Sequence, residues 1–217
     1  MFPGIFLNRI MQKTTIVLAT HNPHKARELL VALESLPIAL KTLDDFPEIT
    51  DIQETGTTLL ENSLIKAHTV HEKTGLPAIA DDTGLEVEAL NGAPGVTAAR
   101  FAGEHATFDD NINKLLHQLK DKSKEERSAQ FRSVISYVDK TRELWAEGSI
   151  KGFILEKRKG ADGFGYDPVF FVPEMNKTFA EMSDNEKNSI SHRARAVHAI
   201  KNKLEFLANS AQQRSIV

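Results

Sequence analysis

Asp81 and Asp82 stand side by side after the short apolar run Ala78-Ile79-Ala80 and ahead of Thr83-Gly84. Two adjacent carboxylates with a hydroxyl and a glycine form a set that a divalent cation would make electrostatically tolerable. In a strand, neighbouring side chains point to opposite faces, so the two acids need not share a task. Small and β-branched residues allow such a strand to be buried on both faces, which forces polar groups to its end, at the mouth of a sheet where α/β proteins place ligands. Asp-Asp-Thr-Gly is also good turn chemistry, and taken alone the stretch leaves both readings open.

Three further stretches carry chemistry-bearing residues. Thr20-His-Asn22-Pro-His-Lys25 follows the apolar run Ile16-Val-Leu-Ala, with Asn22 placed as an N-cap and Pro23 as the first helical residue. A strand ending at a helix N-terminus aims unpaired N–H groups and the positive dipole end at one point, and Thr20, Asn22 and Lys25 add donors there. This predicts a phosphate cradle, although Asn-Pro is also simply a good helix start and no P-loop pattern is present. Gly160-Ala-Asp-Gly163-Phe164-Gly165-Tyr166-Asp167 is a glycine-rich loop in which Phe164 can serve as a stacking plate for a flat base, or sit in the core of an ordinary hairpin. Ser191-His192-Arg193 opens a closing helix; cations in a first turn are unfavourable unless an acceptor is supplied, and such a broken local rule often marks a site.

The elements that must position these residues follow from periodicity. A first helix carries Leu29, Leu30, Leu33 and Leu36 on one face, and a second opens on the capping box Thr58-Leu-Leu-Glu61 with Leu60, Leu64, Ala67 and His71 as its stripe. The acidic loop Asp51 to Glu54 lies just upstream and can bring Glu54 towards the Asp pair. His68 and His71 lack a third ligand, so a surface or half-buried position is expected. Leu85 to Leu90 reads as a strand, and a third helix follows Thr107 with Ile112, Leu115, Leu116 and Leu119 inward. A charged connector from Lys120 to Arg127 reads as solvated surface. Phe131 to Val138 and Leu144 to Leu155 form a hairpin, Val169 to Val172 another strand, and the last helix buries Val197, Ile200, Leu204 and Leu207. The result is an α/β protein with a mixed sheet.

Composition narrows the function. The chain has 217 residues, 41% hydrophobic and 26% charged, which suits one large domain or two small ones with a substantial core. The absence of cysteine excludes disulfides and thiolate metal sites. A formal net charge of −3, with no basic face interleaved with aromatics, argues against nucleic acid as partner. The apolar start from Met1 to Ile10 lacks a basic n-region and enough length to span a membrane, so residues 1–14 read as an N-terminal extension and a cytoplasmic enzyme is expected.

Taken together, these motifs resemble the inosine triphosphate pyrophosphatase family over roughly Thr15 to Leu207. The residues that carry the resemblance are Thr20 to Lys25, Glu54-Thr-Gly56, Glu61-Asn62, Ala80 to Gly84, Gly92-Ala-Pro-Gly95, Phe164 to Asp167 and Ser191-His-Arg193. The resemblance implies a single domain over 15–217 with an elongated mixed β-sheet flanked by helices, and two lobes around a central nucleotide-binding cleft. It implies Mg²⁺ dependence, a homodimer, and cleavage of deaminated purine triphosphates between the α- and β-phosphates. By the same resemblance Asp82 is the general base and, with Glu54, holds the metal. Thr20, Asn22 and Lys25 hold phosphates, Thr83 keeps the hydroxyl that many relatives supply as serine, and Lys187 closes over the nucleotide. Phe164, Gly165, Tyr166 and Asp167 wall the base pocket, and His192 and Arg193 read the base edge. Two other classes compete with this one: a nucleotide sensor that does not hydrolyse, disfavoured by the intact acids, and a phosphatase with an aspartyl nucleophile, which would show Asp-x-Asp instead of adjacent acids.

Overall fold

The computed structural model describes residues 14–214, with side chains through residue 205. The expected extension therefore lies outside the described residues except for Thr14, and so does the side chain of Leu207. Strand β1 (Thr14–Leu18) leads to helix α1 (Pro23–Leu33), β2 (Ile38–Lys41), α2 (Leu59–Thr74) and β3 (Ala78–Val87). Then come the short β4 (Pro94–Gly95), α3 (Phe108–Gln118), the long β5 (Ser128–Val138) and β6 (Glu143–Ile154), β7 (Phe170–Val172), β8 (Lys177–Thr178), α4 (Asp184–Ile190) and α5 (His192–Arg214). The strands make one mixed sheet in the order β2-β1-β3-β5-β6-β7-β8, with β4 on the free edge of β3. β1 runs parallel to β2 and β3, and the remaining pairs are antiparallel. Among the described residues no helix is long and apolar enough to cross a membrane.

Local chemistry explains the elements. Asn22 caps α1 with Pro23 at its first position, as expected. The Thr58–Glu61 capping box opens α2, and Gly75, in the left-handed region at φ 69°, closes it. Leu29 and Leu33 are fully buried against β1 and α5, each worth about 1.5–3 kcal/mol of transfer from water. Leu30, expected on the same face, is 38% exposed, because the inward stripe of α1 is narrower than its run of leucines. The core has three parts. α1 and α5 cover one face of the sheet around Ile79 and Ile135, and α2 covers the other around Ala78, Ala80 and Val138. The third part forms the far lobe, where α3 packs with Phe131, Phe170 and Phe179.

Two expectations require correction. Leu85 to Leu90 is not a separate strand: β3 runs unbroken from Ala78 to Val87, paired with β5 along all ten residues, and Glu88–Leu90 is a 3-10 turn. The acid pair thus sits in mid-strand rather than at a strand end or in a turn. The charged connector is not wholly solvated either, since Arg127 is buried and donates to the carbonyls of Leu119 and Lys122, satisfying the end of α3.

Candidate active site

A polar site can open in the middle of β3 because its neighbour stops. β1 pairs with it only as far as Leu18↔Ile79, and β4 takes up the same edge only at Leu85↔Gly95. Between them the segment 80–84 has no strand on that side, and the β1–α1 turn and the Glu54 loop converge on the gap. Gly84 marks the point where β4 closes in: a Cβ there would stand 2.8 Å from the carbonyl oxygen of Gly95. Strand alternation then sends the two acids apart. Asp82 shares the α2 face with Ala80, and Asp81 the α1/α5 face with Ile79.

On the α2 face, Lys66 Nζ lies 2.8 Å from Asp82 Oδ1 and 2.7 Å from Glu54 Oε1, so Glu54 joins Asp82 as expected. Burial pushes the Asp82 carboxyl above the usual aspartate range, with Lys66 opposing and Glu54 reinforcing the shift. Burial acts on Glu54 in the same sense but is outweighed by Lys66, Lys25 and Arg100, which hold it low. Among the described residues Asp82 Oδ2 is buried with no partner. Among the described residues no three His, Cys, Asp or Glu side chains gather for a metal. Two carboxylates with a free buried oxygen instead fit a cation that takes most of its shell from water and phosphate, as Mg²⁺ does. His68 and His71 are engaged elsewhere, with Glu143 and the carbonyl of Leu76 respectively.

The expected phosphate cradle is present in modified form. Asn22 Oδ1 accepts from the His24 and Lys25 amides at 3.0 and 3.3 Å, so the cap itself uses first-turn donors. Thr20 Oγ1 accepts from Asn22 N. What remains for an anion is the helix dipole and Lys25, whose Nζ is 3.0 Å from Asp81 Oδ2. Beside this cradle a cavity of about 200 Å³ is lined by Glu54, Lys66 and Asp82, and a second, of about 90 Å³, is walled by Phe108, Phe131, Phe164 and Tyr166. They share Asn22, Lys25, Thr83 and Ala99.

In the second chamber Phe164 is half-buried, its ring face open to a cation–π contact from Lys187 at 4.7 Å and backed by the His24 imidazole at 4.9 Å. It is therefore not a core residue. Tyr166 is buried and donates to the carbonyl of Ala98, and Asp167 accepts from Lys187 Nζ at 2.6 Å and from the Phe164 amide at 2.8 Å. Lys187, on α4, also reaches Glu28 at 3.2 Å. Ser191 caps α5 as predicted, its hydroxyl oxygen accepting from the Ala194 amide.

The two first-turn residues of α5 resolve differently from the expectation. His192 is wholly buried against Phe131, and burial and Arg193 depress its pKa well below the ordinary histidine value, so it is neutral. Arg193 already has acceptors: Glu28, Asp81 Oδ2 at 3.3 Å and Thr83 Oγ1 at 3.2 Å. Its Nε and the Nδ1 of His192 are nevertheless buried without partners among the described residues. Two acids around Arg193 raise its pKa against the effect of burial; Asp81, where burial opposes, is held well below the carboxylate range by Arg193 and Lys25.

Reading the sequence missed Glu28 and Lys66. Both lie on helices whose inward faces were sought among apolar residues; the α2 face that meets β3 contains Asn62, Ser63 and Lys66 instead. The available signal was a lysine four residues after Asn62 and about two turns inside a helix that follows Glu54.

Fold and cleft together define a class: a mixed-sheet α/β protein with an aromatic-walled chamber adjoining one lined by carboxylates and lysines. Comparison with known proteins places it further, because the Ham1 family model matches residues 16–203, and the chain belongs to the Ham1 family. A dITP/XTP pyrophosphatase from Thermoanaerobacter pseudethanolicus (strain ATCC 33223 / 39E) is 49% identical over 187 residues, covering 86% of this chain and 94% of the relative. One from Bacillus anthracis is 44% identical over 193 residues, covering 87% and 95%. Among solved structures, a HAM1 protein from Coxiella burnetii superposes with a TM-score of 0.81 at 42% identity, over 88% of this chain and 98% of that one. The Staphylococcus aureus Ham1 protein gives 0.79 at 37% over the same shares.

Proposed function

We propose that the protein hydrolyses deaminated purine nucleoside triphosphates, ITP, dITP and XTP, to the monophosphate and pyrophosphate. The observation that carries this reading is the pair of adjoining chambers, one with aromatic walls and buried nitrogens of His192 and Arg193 without partners among the described residues, the other with the free oxygen of Asp82. Relatives named dITP/XTP pyrophosphatases support it.

In this reading the base lies on Phe164 within the wall of Gly165, Tyr166 and Asp167, and a 6-oxo group receives the hydrogen bonds that His192 and Arg193 lack. The triphosphate lies along Thr20, Asn22, Lys25 and Thr83, with Lys187 at the junction. Asp82, in mid-strand with one oxygen free, takes the proton of the water that attacks the α-phosphorus, and the raised affinity of its carboxylate for protons suits a base. Glu54 and Asp82 would hold Mg²⁺, which when bound supplies positive charge against the leaving pyrophosphate. Until then Lys66 bridges the two acids and offsets their mutual repulsion. Most of the acceleration comes from positioning and electrostatics. Residues 15–217 act as one domain with two lobes, the protein is a homodimer, and a cytoplasmic location follows from a nucleotide-pool substrate.

The deciding experiment is product analysis after incubation with ITP and Mg²⁺. IMP and pyrophosphate are expected, and loss of turnover on chelation; IDP with inorganic phosphate would overturn the reading. Mass measurement in solution checks the dimer.

A further inference from the structure

Asp81 is the acid of the pair that the proposed hydrolysis does not use, and it is the more deeply buried of the two, with no exposed surface. Its carboxylate is fixed from four directions. The Ser133 hydroxyl donates to Oδ1, the Thr83 hydroxyl lies 3.1 Å from Oδ2, and on the same Oδ2 converge Lys25 Nζ at 3.0 Å and Arg193 Nη2 at 3.3 Å. Lys25 belongs to α1 and borders both chambers, including the one that holds Glu54 and Asp82; Arg193 belongs to α5 and lines the aromatic chamber alone. One oxygen atom is thus divided between a cation of the anion cradle and a cation of the ring pocket.

We propose that Asp81 is a positioning residue that couples the two chambers, so that an anion in the cradle tightens the hold on the ring. A polyphosphate carries several charges against the single charge of Asp81, and the Lys25 side chain, 16% exposed, borders the cavity that would receive it. Once Lys25 is drawn away, the carboxylate of Asp81 has Arg193 as its remaining cation and holds the guanidinium more firmly in the ring pocket. The effect continues along a contiguous row of contacts, from Arg193 to Glu28, from Glu28 to Lys187, and from Lys187 to Asp167, which anchors the amide of the plate residue Phe164. A base without its phosphates would therefore meet a looser pocket than the same base with them. This disfavours free nucleosides as occupants and favours triphosphates, a selectivity that neither chamber supplies alone. The inference rests on the reading of the cleft as a nucleotide site.

The test measures coupling rather than turnover, because spatial contiguity alone does not establish it. Inosine binding is followed by calorimetry with and without saturating pyrophosphate and Mg²⁺. In the wild type, pyrophosphate is expected to tighten inosine by roughly 5-fold or more, the lower end of common coupling strengths. In Asp81→Asn each probe binds alone but the factor falls to about 1. A merely structural role would weaken each probe and lower the melting temperature while leaving the factor unchanged. Should Asp81→Asn fail to fold, Ser133→Ala decides, since it frees the carboxylate to rotate without removing its charge and should reduce the factor severalfold. A wild-type factor near 1, a factor unchanged in the variant that folds, or no inosine binding under either condition overturns the proposal. Product analysis with ITP on the wild type is run alongside, so pyrophosphate release with no coupling refutes this inference alone, whereas absent release refutes the underlying function.

Discussion

Replacing Asp82 by asparagine preserves the shape of the side chain and removes its charge, and the structure sets opposite expectations for activity and stability. Asp82 touches Lys66 through Oδ1 and leaves Oδ2 free. Loss of a positioned base costs roughly 10²–10⁴-fold in rate, equivalent to about 3–5 kcal/mol of barrier. Stability should not follow. Burial raises the Asp82 pKa, so at neutral pH the folded state holds the group ionised at a cost the unfolded chain does not bear, about 1.4 kcal/mol for each tenfold gain in proton affinity. The amide removes that cost. Against it, Lys66 loses one of two carboxylates but keeps Glu54 at 2.7 Å. The expected outcome is a melting temperature no lower than wild type with ITP turnover reduced by at least two orders of magnitude. Pyrophosphate release and thermal melting of the same preparation are the assays. Near wild-type turnover would remove Asp82 as the base, and a fall of many degrees in melting would refute the electrostatic argument.

Lys66→Met leaves two acids facing each other across a buried gap, and should cost up to roughly 3–5 kcal/mol, reduced because the Glu54 side chain is 27% exposed and can rehydrate; adding Asp82→Asn should recover part of the loss in denaturant titrations. Phe164→Ala should raise KM for ITP by roughly 5- to 150-fold with kcat little changed, since stacking is worth about 1–3 kcal/mol per base, and melting without ligand should shift little because the ring is half-buried. His192 is held neutral by burial, so its contribution to stability is fully present above the unfolded value of about 6.5 and is lost as pH falls towards its depressed folded value. The pH dependence of unfolding free energy in wild type should therefore exceed that of His192→Gln between the depressed folded value and the unfolded value, approaching about 1.4 kcal/mol per pH unit roughly one unit below 6.5; parallel curves there would mean that His192 takes up its proton in the folded state.

Local chemistry made much of this legible from residue order. Asn22-Pro23 and Thr58 to Glu61 announce helix starts through side-chain donors and acceptors that act within four residues, and both are found as expected. Glu54 joins Asp82 because one loop and one strand meet, which the acidic loop upstream suggested. What could not be read depends on residues far apart in the chain. The early end of β1, which exposes the middle of β3, is invisible in β3 itself, and Asp-Asp-Thr-Gly imitates a turn. Glu28 and Lys66 look like solvated helical charges until Arg193, 165 residues beyond Glu28, and Asp82 arrive to pair with them.

The alternation that separates Asp81 from Asp82 gives the long ladder between β3 and β5 a second purpose. Two residues of the same type, adjacent in sequence, do different work only because one points to each side of the sheet. A slip of β3 by one position would exchange them, bringing Asp82 against Lys25 and Arg193 and aiming Asp81 or Thr83 at Lys66. No local preference forbids this, since the exchanged side chains are chemically alike. Ten consecutive pairs from Ala78↔Val138 to Val87↔Ala129 oppose it together. Insertion or deletion of a single residue within β3 ahead of Asp81, among Ala78, Ile79 and Ala80, should accordingly turn either the strand's start or the acid pair to the wrong face, and such variants should be inactive even where the chain still folds.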